Sequence, residues 1–378
     1  MRLVPTTEER DLAAMLRALF GTHWSTTDVR ALREPGADRF PRGLWERLAG
    51  AGICGIAVPE EHGGAGGTLS DVGVVAVEAG RALCPSVVLG TIGLAYALGE
   101  LAGPDQRGRL LPALAAGDLR GVAVLASPSD TRDLTPRLRA TREGEGWRVA
   151  GSLPDVVDAD LADLILATAL TEDGTVLGVL LPPAATVCEE RPTTAGDRHA
   201  AVAVEAVLGA DEVLGAGAGL DPDDLARVAQ ALQVIGCLEL VGVTEAIVDR
   251  TVEYTLTREQ FGRPIASFQA AQHLVANMRI ALAAARLTSH SAAAWLGRGG
   301  VEERRTAIAV MQAAAAARRA SLDAHQLHGG MGYVLETDLH LWSERARELG
   351  VLGGGGLVAA GWLADALVAP VTEEVRHG

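Results

Sequence analysis

The sequence predicts a mainly α-helical chain with a central β domain, ordered helical, then β, then helical. Three observations carry that expectation. Apolar residues recur every three to four positions over both end segments, the signature of helices with one buried face. Between residues 119 and 218 the apolar runs become short and are separated by glycine-rich turns, the signature of strands. The chain is 48% hydrophobic but only 3% aromatic, so its cores are Ala, Leu and Val, which favour close helix packing. At 378 residues it exceeds the usual size of a single core. We therefore expect an N-terminal helical domain over 1–118, a β domain over 119–218 and a C-terminal helical domain over 219–378.

In the first segment, Leu12, Met15, Leu16, Leu19 and Phe20 share one helical face. A short amphipathic stretch follows at Leu44 to Leu48, then a turn-rich block from Pro59 to Gly67. Ser70 and Asp71 are expected to cap a helix running to about Leu83, with Pro85 just past its end. In the second segment, Gly121 to Ala126 is a short apolar run. Leu138 to Arg142 and Trp147 to Gly151 flank Glu143-Gly144-Glu145-Gly146, a hairpin signal. Leu164 to Leu170, Thr175 to Leu181 and His199 to Val207 repeat the pattern, suggesting a small antiparallel β domain. In the third segment, Leu225, Val228, Leu232, Ile235, Gly242 and Ala246 mark one helical stripe. Phe268, Ala271, Val275, Met278, Leu282 and Ala285 mark another. A third helix covers about Glu303 to Leu327, with Ala313 to Ala317 permitting close approach.

Composition excludes several function classes. A net charge of −15 repels phosphate backbones and argues against a nucleic-acid partner. All basic residues are arginine, so there is no Schiff-base lysine and no phosphate-loop lysine. Cys54, Cys84, Cys188 and Cys237 are scattered, which argues against structural zinc and a disulfide framework. Met1 to Arg10 does not read as a signal peptide, and no run of 18 apolar residues suggests a membrane span, so a cytoplasmic protein with no membrane partner is the expectation.

Two segments stand out. In Tyr254 to His273, Gly262 and Pro264 break a long helix that restarts at about Ser267. Arg258 and Arg263 at this break suit bidentate recognition of a diphosphate, or else are solvated residues of a helix corner. In Gln326 to Tyr333, Gly329, Gly330 and Gly332 end a helix and allow close approach of a backbone or ligand, or else form a simple capping turn. Together they resemble the acyl-CoA dehydrogenase family. Arg258 to Gln269 is similar to its R-x-Q-F-G-x-P-I-x-x-F-Q signature, and Gln326 to Tyr333 to its Q-x-x-G-G-x-G-[YF] segment. Leu44-Trp45 and Gly55 to Gly64 resemble its first domain. The likeness is strong over 240–345, moderate over 40–85 and weak over 119–218.

The resemblance implies a helical domain, a small antiparallel β-barrel and a C-terminal four-helix bundle. It implies a flavoprotein that uses FAD to dehydrogenate an acyl thioester, on CoA or an acyl-carrier protein, at the α,β positions, in fatty acid or steroid side-chain metabolism. It implies FAD contacts for Arg258 and Phe261, with Gln269 close by, and for Gln326, Gly329 and Gly330 across a subunit boundary. A homo- or hetero-oligomer, dimer or tetramer, follows, with reoxidation by an electron-transfer flavoprotein. Two departures stand beside this. The family's T-E-P-x-x-G-S-D is represented only by Ala126-Ser127-Pro128-Ser129-Asp130. Its Y-E-G-T region, which carries a glutamate base in many members, reads Leu349 to Gly356, with Glu348 the nearest carboxylate.

A base must be a carboxylate in a desolvated site. Glu239 is the only charge in Val234 to Val243 and falls on the apolar stripe of its helix, seven residues beyond Leu232, where some family members place a base. It is either the base or a buried glutamate paired with an arginine of another helix. Glu60, Glu61, His62, Asp338 and His340 are weaker candidates, expected to be solvated or capping. Three readings follow: a dehydrogenase; a non-catalytic partner subunit completing a neighbour's flavin site; or a flavin oxidase or monooxygenase on the same scaffold.

Overall fold

The computed structural model describes residues 5–34, 37, 40–215 and 218–368, so the outermost ends of the first and last segments lie outside it. The chain opens with α1 (Thr7–His23), α2 (Thr26–Arg33), α3 (Arg42–Gly50), α4 (Leu69–Ala82), α5 (Ser86–Leu101) and α6 (Pro104–Ala116). The start of α4 differs from the expectation. Thr68 is its N-cap and Asp71 completes the capping box from the third helical position, so Ser70 lies inside the helix.

The β domain comprises β1 (Gly121–Val124), β2 (Leu138–Glu143), β3 (Gly146–Val157), β4 (Leu164–Thr171), β5 (Val176–Leu181), β6 (Thr186–Pro192), β7 (Arg198–Leu208) and β8 (Val213–Leu214). The strands run β6-β7-β3-β2-β4-β5-β8, with β1 also on β4. The sheet corrects the antiparallel-barrel expectation in two ways. It is mixed, because β1 and β2 both pair with β4 in parallel. It is also open, because no ladder joins β6 to β8 among the described residues. Period-2 patterning does not encode strand direction.

The C-terminal part holds α7 (Pro222–Thr257), a hairpin of β9 (Glu259–Gln260) and β10 (Arg263–Pro264), then α8 (Gln269–Leu296), α9 (Glu303–His328), α10 (Leu339–Leu349) and α11 (Gly355–Val368). Helix α9 packs against α7, α8, α10 and α11, and α7 also packs on α4 and α8. Pro222 opens α7 and Asp221 caps it, accepting hydrogen bonds from the amides of Asp223 and Asp224. Helix α7 is long and apolar enough to cross a membrane, but 78% of its most apolar window is buried inside the protein.

Two glycines set the α4–α7 approach. A Cβ on Gly242 would lie 1.9 Å from the Val77 carbonyl oxygen, and one on Gly80 would lie 2.1 Å from that of Glu239. This contact fixes the height and rotation of Glu239 over the β domain.

Candidate active site

Two regions of α7 carry the candidate chemistry, and they lie at different levels of the helix. From Glu239 to the last helical residue, Thr257, is about 27 Å along the axis.

The first region is the end of α7. Phe261 and Gly262 connect β9 to β10 with φ of 54° and 78°, and Gln260 pairs with Arg263 across them. Two consecutive left-handed residues in a two-residue hairpin loop are the geometry of a type I′ turn. Phenylalanine rarely adopts this backbone, and here it puts the ring at the tip, 93% exposed. Phe261 meets Phe268 edge-on at 6.1 Å, and Arg263 lies over the Phe268 ring at 4.1 Å. Arg263 is thus engaged locally, while Arg258 is exposed. The glycine segment after α9 comes to the same end. The Tyr254 ring stacks on His328 at 4.2 Å, and His328 is further held through its Nδ1 at 2.8 Å from the Ala324 carbonyl. Arg258, Phe261, Gln269, Gln326, Gly329 and Gly330 lie on this surface, all exposed. A Cβ built on Gly329 or Gly330 meets no atom within 4 Å, so the backbone there is open to an approaching group. The structure therefore gathers the expected FAD-contacting residues of both motifs at one end of the chain.

The second region is a cleft between the β domain and the C-terminal helices. One cavity of about 220 Å³ is bounded by Leu125 to Pro128, Gln233 and Gly236 of α7, Val310 and Ala313 of α9, and Gly353. A second, of about 250 Å³, lies against it, sharing Val122, Val157, Leu232 and Leu352. The glycine run replacing Y-E-G-T packs onto the loop after β1. Gly353 donates its amide to the Pro128 carbonyl at 2.9 Å, and Gln233 Nε2 donates to the Leu352 carbonyl at 3.4 Å. Thr131 Oγ1 donates to Gln233 Oε1 at 2.8 Å. A Cβ on Gly354 would lie 2.3 Å from the Ser129 carbonyl oxygen. No side chain fits at this point of the wall without rearrangement.

Glu239 lines the second cavity and is 5% exposed. Its Oε1 accepts from Nε of Arg345 at 3.0 Å and from Nη2. The arginine partner from another helix, one of the two sequence alternatives, is therefore present, on α10. Burial pushes the Glu239 carboxyl up to about 8, with Glu348 and Asp158 adding to the rise. The Arg345 guanidinium in direct contact pulls the other way, favouring the carboxylate. Arg345 also pairs with Asp197. Beside it, His199 places Nδ1 2.8 Å from Asp155 and Nε2 2.9 Å from Glu348. Burial alone would lower the His199 pKa, but hydrogen bonds to the two carboxylates outweigh it and raise it to about 9. Burial opposes ionisation of Glu348 as well, yet the His199 hydrogen bond and the Arg345 charge bring its carboxyl below the usual range.

Sequence reasoning missed Arg345, His199, Asp155 and Asp197. One signal was available for Arg345. It falls on the stripe Leu341, Trp342, Arg345, Leu349 that α10 buries. Asp155 had none, since a β-bulge between Leu153 and Val156 shifts its register against β7. Of the weaker candidates, Glu60 and Glu61 are exposed as expected, His62 and His340 are half-buried, and Asp338 stands at the N-cap position of α10 without a capping hydrogen bond, its carboxylate paired with Arg30.

Comparison with known proteins meets this geometry. The acyl-CoA dehydrogenase N-terminal domain matches residues 6–118, and the acyl-CoA dehydrogenase C-terminal domain matches residues 227–367. Acyl-CoA dehydrogenase IpdE2 of Mycobacterium tuberculosis is 31% identical over 347 residues, covering 91% of this chain and 92% of its own length. The chain belongs to the acyl-CoA dehydrogenase family. Its members are oxidoreductases acting on CH–CH bonds. Among solved structures, the ChsE4-ChsE5 complex from Mycobacterium tuberculosis is similar at a TM-score of 0.85 and 26% identity, covering 97% of this chain and 98% of that one. A variant of the Tcur3481-Tcur3483 steroid ACAD is similar at a TM-score of 0.85 and 26% identity, covering 95% of this chain and 97% of that one. The family's cofactor is FAD. The exposed Phe261 turn and the open backbone at Gly329 and Gly330 fit a dinucleotide lying against this end of the chain.

Proposed function

We propose that this protein takes part in the FAD-dependent α,β-dehydrogenation of an acyl thioester, with each flavin held between two subunits. One observation carries this reading. The FAD-contacting residues at the end of α7 lie about 27 Å along the helix from Glu239, which lines the chain's own cleft. A flavin ring set in one chain's cleft therefore takes its clasp from another chain. Arg258 supplies charge-assisted hydrogen bonds to a diphosphate, Gln326 adds amide donors, and Gly329 and Gly330 let the backbone come close. Bound FAD supplies the hydride acceptor. The apolar walls around Leu232, Val122 and Leu352 exclude water from the acyl group. The test is the flavin content of the purified chain, followed by anaerobic bleaching with a panel of acyl-CoA thioesters. A chain that takes up FAD neither alone nor with any partner ends this reading.

A second reading has its own support: a subunit that lends its clasp to a neighbour but carries no base. The Gly353–Gly354 wall admits no side chain, and Glu239 is tied to Arg345. Protein that is colourless alone and yellow only with a co-expressed partner identifies this case, and the ChsE4-ChsE5 neighbour is itself a complex of two different chains. If Glu239 is the base instead, Glu239→Gln abolishes flavin reduction. Unchanged kinetics remove it from the mechanism. Reoxidation by an electron-transfer flavoprotein is checked by whether oxygen alone restores the colour.

A further inference from the structure

We propose that the cavity of about 250 Å³ beside α7 selects an acyl group bearing a hydroxyl at its far end, with Glu239 as the acceptor that reads it. This rests on the acyl-thioester reading and names the substrate class for the same site.

Most of the cavity wall is apolar, from Leu89 on α5, Val122 and Val157 on the sheet, and Leu232 and Ile235 on α7. Glu239, Arg345, His199 and Glu348 also line it. Three of these charged residues are more than nine-tenths buried: Glu239 at 5%, Arg345 at 6% and His199 at 7% exposure. A cavity meant only for a hydrocarbon chain gains nothing from such a cluster, because every charge in it is desolvated.

The committed hydrogen bonds define what this polar end can take. His199 has both ring nitrogens engaged, by Asp155 and Glu348. Arg345 serves Glu239 through Nε and Nη2 and Asp197 through Nη1. Each cation thus sits between two carboxylates, and neither has its charge free for an incoming anion. Glu239 differs. Its Oε1 takes both Arg345 donors, and its Oε2 accepts no hydrogen bond among the described residues. Glu239 therefore offers the cavity an acceptor oxygen with no hydrogen bond of its own, on a carboxyl whose other oxygen is bound to the Arg345 guanidinium. That acceptor binds a hydrogen-bond donor and repels a carboxylate. In the apolar surroundings an alcohol is matched by this one oxygen, whereas a plain alkyl end leaves it unsatisfied.

The experiment uses the flavin-loaded protein as isolated, with any co-purifying subunit. It compares acyl-CoA thioesters of matched chain length ending in methyl, hydroxyl or carboxylate, by calorimetric binding and by anaerobic flavin reduction. The expected result is that the hydroxylated member of the best length exceeds the methyl one by about tenfold in Kd and in kcat/KM, the worth of a hydrogen bond to a charged acceptor. The carboxylated member falls below both. In Glu239→Gln the hydroxyl-to-methyl ratio drops toward one. Equal handling of all three by the unaltered protein overturns the proposal without needing any variant to fold. Loss of reduction by Glu239→Gln with every thioester alike, at unchanged binding ratios, also overturns it and makes Glu239 the base. Discrimination in binding without flavin reduction by any thioester keeps the recognition and removes the dehydrogenase reading. Binding by none removes both.

Discussion

The ring of Tyr254 lies almost flat on that of His328, with centroids 4.2 Å apart and 17° between the planes. The contact ties the end of α7 to the end of α9, and so ties the Arg258–Gln269 segment to the Gln326–Gly330 segment. In the proposed flavin site the two exposed loops are thereby given a fixed spacing before the dinucleotide arrives, which lowers the ordering cost of binding. A stacked aromatic pair contributes about 0.5–1.5 kcal/mol beyond its buried area. Tyr254→Ala should weaken FAD retention several-fold with a modest drop in Tm. Tyr254→Phe should change little, because the Tyr254 hydroxyl is 3.5 Å from the His328 carbonyl oxygen, a weak hydrogen bond. Flavin loss on dilution, followed by fluorescence, measures both.

The wall at Gly353 and Gly354 leads to a second prediction. Both residues have positive φ, 63° and 89°, and a Cβ at 354 would meet the Ser129 carbonyl oxygen at 2.3 Å and Val358 Cβ at 2.6 Å. A backbone oxygen cannot swing aside as a side chain can. Gly354→Ala should destabilise by about 2–4 kcal/mol, combining backbone strain with overpacking. Gly354→Glu should do at least as much damage and restore no base activity. Urea unfolding of the alanine variant and flavin bleaching by the glutamate variant check the two halves separately.

The buried pair Glu239–Arg345 predicts an order of damage. Arg345 is shared with Asp197, so Arg345→Met strands the buried Glu239 and the half-buried Asp197, whereas Glu239→Gln leaves Arg345 its Asp197 partner. Removing one member of a buried ion pair typically costs about 3–5 kcal/mol. Arg345→Met should reach that range. Glu239→Gln should lose less, about 1–3 kcal/mol, since an amide still accepts one of the Arg345 hydrogen bonds. Equal losses in denaturant titrations would show that Asp197 adds nothing to holding Arg345.

The stripe Leu225, Val228, Leu232, Ile235, Gly242, Ala246 made α7 legible in the sequence, because a helix repeats its buried face every three to four residues. The same rule exposed Glu239 as a charge on an apolar face. What the rule does not reach is the partner. Arg345 is 106 positions away, Asp155 is displaced by a bulge, and His199 stands on a strand where alternation says only in or out. The parallel pairings of β1 and β2 on β4 were hidden for a related reason: alternation gives a strand's faces but not its direction or neighbour. The Phe261–Gly262 turn lay between these cases. The helix break was readable from Gly262 and Pro264, but the left-handed phenylalanine and its exposed ring follow from the short β9–β10 pairing that only the fold reveals.

His199 gives the last prediction, a pH dependence of stability with a defined sign. Its pKa rises from an ordinary 6.5 to about 9 because Asp155 and Glu348 favour the imidazolium more than burial disfavours it. The folded state therefore binds the proton more tightly than the unfolded chain. The stabilisation is complete below pH 6.5, on the order of 3 kcal/mol, and is lost as pH rises through about 9. Glu348 acts in the opposite sense at the acid end. Its carboxyl is held below the usual range, so its contribution is lost as pH falls through that lowered value. Asp158 lies near enough to favour the His199 charge when ionised, but burial pushes its own carboxyl up, so its contribution opposes that of Glu348, present at low pH and lost as pH rises through the raised value. Unfolding free energy should be highest in mildly acidic to neutral solution and fall between pH 6.5 and 9. His199→Gln, which keeps hydrogen-bonding capacity without a titrating proton, should lower the plateau and flatten that decline. A decline of the same slope in the variant would assign it to other groups.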